Sequence, residues 1–133
     1  MDNLTDRQIY TAVAEHLWSI YGQSFFVVRV VMNTERPARG VYITLADDYA
    51  DMRTFDSDGE FASSIMYEVV VFSGLTNGAS TEANGIAEEV NKVFSRLGFQ
   101  RRSKVPVKTG QSDYEIVLRF VGKISKHNKI GRA

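Results

Sequence analysis

The chain has 133 residues, an apolar content of 44%, and 16 acidic against 16 basic side chains, for a formal net charge of zero. That length fits one domain with a real hydrophobic core, read here as an α+β domain over residues 1–125 followed by a basic tail over 126–133. The lack of any cysteine excludes disulfides and cysteine-bound zinc or iron–sulfur centres.

The opening Met1-Asp2-Asn3-Leu4-Thr5-Asp6 lacks the basic and apolar regions of a signal peptide. No apolar run approaches the roughly 18–20 residues of a membrane span. The expectation is a soluble protein retained in the cytoplasm where it is made. Residues 5–21 then read as a helix. Thr5 suits the N-cap, Gln8 stands at the capping-box position, and Leu4 with Ile9 fits a hydrophobic staple. Ile9, Val13, Leu17 and Ile20 form an apolar stripe widened by Tyr10 and Trp18, and Gly22 supplies the stop. Trp18 is read as core packing in preference to an interface anchor.

Phe25 to Met32 is rich in β-branched and aromatic residues and reads as a strand, central or covered on both sides. Arg29 interrupts it, and an end position that lets the charge reach water is preferred to a pore or subunit contact. After a polar loop containing Pro37, Gly40 to Leu45 reads as a second strand. The short connection predicts an antiparallel hairpin of the two.

Ala46 to Phe61 is the most acidic segment, with Asp47, Asp48, Asp51, Asp56, Asp58 and Glu60 relieved only by Arg53. It reads as a long loop, an arm that orders on a partner. Asp56-Ser57-Asp58-Gly59 resembles the start of a calcium loop, but the twelfth position, which needs a carboxylate, is Tyr67.

Ser64 to Phe72 is a strand with Ile65, Tyr67, Val69 and Val71 on a wholly apolar face and Glu68 marking the other as accessible. A helix follows from about Glu82 to Leu97, capped by Ser80 or Thr81, with Ile86, Val90, Val93, Phe94 and Leu97 along one side. Ala83, Gly85 and Ala87 permit close approach either to the sheet or to another subunit. Gly98 ends the helix, and Phe99 can fold back on its last turn. Phe99 to Lys108 is basic and contains Pro106, which confines it to an edge strand or arm. Asp113 to Ile124 alternates cleanly, with Tyr114, Ile116, Leu118 and Phe120 on the buried face. The fold class is therefore α+β: a mostly antiparallel sheet with two helices packed on one face.

The zero net charge hides a division. Residues 1–90 carry 14 acidic and 5 basic side chains, and residues 91–133 carry 11 basic and 2 acidic ones. Unless folding interleaves them, the charges make surfaces of opposite sign, suited to nucleic acid or to a neighbouring copy.

The usual markers of catalysis are missing. His16 and His127 have no metal-binding spacing, there is no Gly-x-Ser-x-Gly elbow, and Gly74, Gly78 and Gly85 are not followed by the Gly-Lys-Ser/Thr of a phosphate loop. A carboxylate- and metal-dependent hydrolase built on the acidic segment is a rival reading, but the expectation is no enzyme, no metal and no cofactor. A small nucleic-acid-binding or regulatory domain using the basic C-terminal third is the other rival, though only Phe99 offers a stacking ring.

The arrangement resembles bacteriophage tail-terminator (neck) proteins. The features that carry the resemblance are the N-terminal helix, Pro37-x-x-Gly40-Val41-Tyr42-Ile43-Thr44-Leu45, the strand Tyr67 to Phe72, the single helix after it, and the late strand Asp113 to Phe120 ending in a basic tail. The resemblance implies a structural virion protein. Family members form homo-oligomeric rings, usually hexameric, that cap the tail tube and join it to the head connector. DNA passes through the centre without sequence-specific binding, and no membrane is involved. On this reading the chain is made in the host cytoplasm and ends in the virion neck. Asp47, Asp48, Asp51, Asp56 and Asp58 are then expected to meet Arg101, Arg102, Lys104 or Lys108 of a neighbouring subunit.

Overall fold

A computed structural model of the chain describes residues 4–29, 38–55 and 61–125. The elements are helix α1 (Leu4–Tyr21), strands β1 (Phe26–Val28), β2 (Arg39–Phe55) and β3 (Phe61–Ser73), helix α2 (Ala79–Arg96), and strands β4 (Gln100–Thr109) and β5 (Tyr114–Ser125). The five strands form one sheet in the order β1-β2-β3-β5-β4, antiparallel throughout except for β1 beside β2. This is an α+β fold. No helix among the described residues is long and apolar enough to cross a membrane.

Both helices lie on one face of the sheet, because their buried stripes and the sheet's apolar face share a single cluster. Ile9, Val13 and Leu17 of α1 and Ile86, Val90, Val93 and Phe94 of α2 pack with Val41, Ile43, Ile65, Tyr67, Val69, Val71, Ile116, Leu118 and Phe120. Alternation along β3 and β5 turns these side chains inward and leaves Glu68, Val70, Val117 and Arg119 on the open face. Each fully buried apolar side chain contributes about 1.5–3 kcal/mol. The α2 stripe thus outweighs the roughly 1 kcal/mol that Gly85 costs the helix. Ala83 and Ala87 are buried in the chain's own core, whereas nothing lies within 4 Å of a side chain added at Gly85. At the end of the α1 stripe Ile20 lies in the last turn and remains 46% exposed, so it is not part of the core.

The helix termini differ from expectation. α1 begins at Leu4, so Thr5 lies inside the helix and is not its cap. α2 begins at Ala79 after Gly78, with no side-chain cap from Ser80 or Thr81. A backbone group does part of that work instead, since the Ala79 N–H donates to the Gln111 carbonyl in the β4–β5 turn at 3.3 Å. At the other end Gly98, at φ 88°, lets the Phe99 N–H reach back to the Phe94 carbonyl at 2.9 Å. That turn drops the Phe99 ring against Phe94 and Tyr67 and over Gly122.

β1 is an edge strand parallel to β2, not a covered strand in an antiparallel hairpin. Its placement is set by α1. Trp18 Nε1 donates to the Phe25 carbonyl at 2.9 Å and the Tyr10 hydroxyl donates to the Val27 carbonyl at 3.0 Å. These alternate carbonyls face away from β2, so two aromatic side chains close the outer edge of β1. Trp18 is thus part of the packing between α1 and β1, half-buried against the core. Arg29 lies just past β1, exposed, its guanidinium 5.8 Å from the Tyr10 ring centroid. The rest of the predicted strand, residues 30–32, lies outside the described residues.

The acidic segment is the largest departure. Its first part is not a loop: β2 continues to Phe55 and β3 begins at Phe61. β5 already flanks this part of β3, pairing Ser63 with Ile124 and Ala62 with Ser125. Extension of β2 along the other side supplies the remaining backbone partners despite the polar composition. The match is imperfect, with register shifts between Leu45 and Asp47 and between Tyr49 and Thr54. Residues 56–60, including the calcium-like Asp56-Ser57-Asp58-Gly59, lie outside the described residues.

Candidate assembly surfaces

β4 is the basic edge of the sheet. Pro106 and register shifts at Arg101/Ser103 and Pro106/Lys108 interrupt its regularity, features that discourage strand addition. Its cations divide by face. Lys104 lies opposite Leu118, on the helix-covered side, and Arg101 lies opposite Phe120. Both lean toward one oxygen of Glu88 on α2, at 3.6 and 3.9 Å. Lys108 stands 3.6 Å from Glu115 and 3.9 Å from Asp113. Arg102 sits in the first irregularity, exposed, and makes no ion pair among the described residues. Val105 and Val107 lie between the cations, 50% and 52% exposed.

The predicted acidic partners are partly placed. Asp47, Asp48 and Asp51 are on β2, and Asp56 and Asp58 lie outside the described residues. In the sheet order β3 and β5 separate β2 from β4. The fold keeps strands β2 and β4 apart, while Arg101 and Lys104 beside Glu88, and Arg119 beside Glu68, interleave part of the charge of the two halves.

The open face of the sheet carries an aromatic group at its β1 side. Phe26, Tyr42 and Phe72 meet with ring centroids 5.4–6.3 Å apart, and Tyr42 and Phe72 are buried although they lie on the face away from α1 and α2. Further across, Arg119 pairs with the directly opposite Glu68 through Nε at 3.2 Å and a terminal nitrogen at 3.1 Å. An open cleft of about 620 Å³ lies where α2 leads into β4, lined by Asn91, Ser95, Gly98, Phe99, Gln100 and Arg101.

Two polar groups tie the layers together. Ser73, 2% exposed, donates to Glu82 at 2.6 Å, and Arg39 donates to the other Glu82 oxygen at 2.8 Å while lying over the Tyr21 and Phe25 rings. The sequence marks Glu82 only as the approximate start of a helix. Nothing in the spacing of 39, 73 and 82 reveals their meeting. Between the helices His16 Nε2 donates to Glu89 at 2.9 Å, and Lys92 adds a contact at 3.1 Å. The His16 hydrogen bond, more than Lys92, holds the Glu89 carboxyl below its ordinary range against the opposing effect of burial. Burial, reinforced by Glu89, pushes the Tyr21 phenol up. Among the described residues no cluster of three or more His, Asp or Glu side chains is arranged to hold a metal.

No family model matches the chain, and no curated protein matches it. Among solved structures its fold is similar to that of a chain in the "Virion of native gene transfer agent (GTA) particle". The TM-score is 0.57 at 16% identity, covering 87% of this chain and 93% of that one. A second similar structure, of the bacteriophage SPP1 gp17 protein, is 20% identical with a TM-score of 0.42, covering 88% of this chain and 90% of that one. The first likeness establishes a shared fold over nearly the whole of both chains.

Proposed function

We propose that the chain is a structural virion protein of the head–tail junction, a tail-terminator (neck) subunit whose homo-oligomeric ring caps the tail tube and joins it to the head connector. The observation that carries this reading is the fold shared with a virion-particle chain, over 87% of one and 93% of the other. The strand and helix pattern that resembles tail terminators supports the same role. A subunit with oppositely charged strands on different sides of its sheet suits the head-to-tail contacts of a ring. The role is non-catalytic and uses no cofactor, and DNA passes through the ring without being read.

Native mass spectrometry and negative-stain electron microscopy, alone and with purified tail tubes, test this. A ring, or a monomer that assembles on tube ends, is the expected result. The basic strand β4 also favours a second reading, nucleic-acid binding. A chain that stays monomeric with tubes and binds DNA with strongly salt-dependent affinity replaces the first reading with the second.

A further inference from the structure

The sheet register locates the acidic strand relative to the basic one. Reading straight across, Gln100 pairs with Val121, Val121 with Met66, and Met66 with Asp47. The first residue of β4 is therefore level with Asp47. Beyond that line β4 is absent, yet β2 and β3 continue to the pair Phe55 and Phe61, flanked by β5 as far as Ser125. Five residues of β3, Phe61 to Ile65, make this extension, about 17 Å at ~3.3 Å per residue. It carries Asp48, Asp51 and Arg53, with Asp47 at its base and Lys123 on the flanking end of β5. It also points away from β4, across two intervening strands that hold the two segments about 14 Å apart. Within one chain the two strands are therefore never neighbours.

The contacts those cations do make are weak. Arg101 and Lys104 share one oxygen of a Glu88 side chain that is 56% exposed, and Lys108 reaches its two acids only at 3.6 and 3.9 Å. The exposed pairs to Glu88 and Asp113 contribute little and are readily exchanged, whereas Glu115 is only 14% exposed. The half-exposed Val105 and Val107 among the cations give the strand an apolar centre with a charged rim, the anatomy of a protein contact.

We propose that the β2–β3 extension of one subunit docks against strand β4 of a second copy, bringing Asp47, Asp48 and Asp51 to Arg101, Arg102, Lys104 and Lys108. This rests on the ring reading and supplies its subunit contact. Pro106 and the irregular register of β4 make it a side-chain contact and not a continuous intersubunit sheet. The two surfaces differ and lie on different sides of the subunit, so the contact is heterologous and propagates by rotation until it closes.

The test is a charge swap in the full-length chain, followed by sedimentation velocity and native mass spectrometry. One variant carries Arg101→Glu and Arg102→Glu, the other Asp47→Lys and Asp48→Lys. Near-ultraviolet circular dichroism and the thermal midpoint establish that each is folded. Each variant alone is expected to need a protein concentration about tenfold or more above wild type to assemble. An equimolar mixture is expected to recover assembly, because every contact in an alternating ring then joins opposite charges. Folded variants that assemble like wild type, or a mixture no better than its components, overturn the docking while leaving the ring reading intact. A wild-type chain that never associates, alone or on tail tubes, overturns both.

Discussion

Replacing Gly122 with alanine probes how the last turn of α2 is fastened to the sheet. A Cβ at this position would lie 2.6, 2.6 and 2.8 Å from Cδ2, Cε2 and Cζ of Phe99, against an optimal carbon–carbon separation of about 3.5–4.0 Å. The ring must therefore retreat by about 1 Å. Inward movement is opposed by Tyr67 and Phe94, with centroids at 5.7 and 5.5 Å, and Phe94 is itself stacked on Phe120 at 4.1 Å. Outward movement into the adjoining cleft exposes a ring now 5% accessible. Either relief costs about 1–3 kcal/mol, offset by about 0.5–1 kcal/mol from replacing a strand glycine. A net loss of about 1–2 kcal/mol is expected, lowering the urea midpoint by about 0.5–1 M for a slope near 2 kcal/mol/M. The decisive measurement is a double-mutant cycle. Phe99→Ala alone should cost about 3–5 kcal/mol, and in that background Gly122→Ala should be neutral or stabilising, since no ring remains to be struck. An equal penalty for Gly122→Ala with and without Phe99 would refute the contact.

Three other outcomes are expected. Gly40→Ala should destabilise the pairing of β1 with β2, because its Cβ would lie 2.7 Å from the Phe26 backbone oxygen. A loss of about 1–3 kcal/mol in denaturant unfolding, with faster amide exchange in β1 than in β3, is the expected signature, and wild-type stability would contradict it. Ser73→Ala removes a nearly buried donor from Glu82 and should cost about 1–2 kcal/mol. Added to Glu82→Gln, the same change should cost less than it does alone, and strict additivity would argue against a shared network. For Glu89 the folded carboxyl is depressed, so its contribution is present above the unfolded value of about 4.3 and is lost as pH falls through the lower folded value. Thermal midpoints measured from pH 6 down to pH 3 should show a smaller acid-side fall for Glu89→Gln than for wild type. Parallel curves would remove this latch between the helices from the account.

The parts of the fold legible in the sequence are those where one periodicity dominates. Tyr67 to Phe72 and Tyr114 to Phe120 alternate strictly, and Ile86, Val90, Val93 and Phe94 recur at helical spacing, so β3, β5 and α2 could be placed with the correct faces. Pro106 likewise marked β4 as an edge. What could not be read depends on distant partners. The parallel direction of β1 is fixed by hydrogen bonds from Tyr10 and Trp18, not by the length of the following connection. The composition of residues 46–55 suggested a loop, because the strand they form is demanded by the length of β3 and β5 and not by their own propensity. For the proposed surfaces, the sequence supplied the separation of charge, and only the strand order shows that the acidic and basic strands of one chain lie apart.

The central pairing of the sheet has a consequence for the order in which the chain can fold. β2 with β3 and β4 with β5 are neighbours along the chain, joined by local connections. β3 and β5 are not, and their ladder joins Ser73 to Tyr114 at one end and Ala62 to Ser125 at the other, with α2 and β4 between them in the chain. That ladder carries a large closure entropy before any of its contacts form. α2 can offset it early, because Phe94 touches Tyr67 of β3 and Phe120 of β5 at once. Refolding is thus expected to be gated by the docking of this one ring between two strands, with truncation of Phe94 slowing folding more than it speeds unfolding.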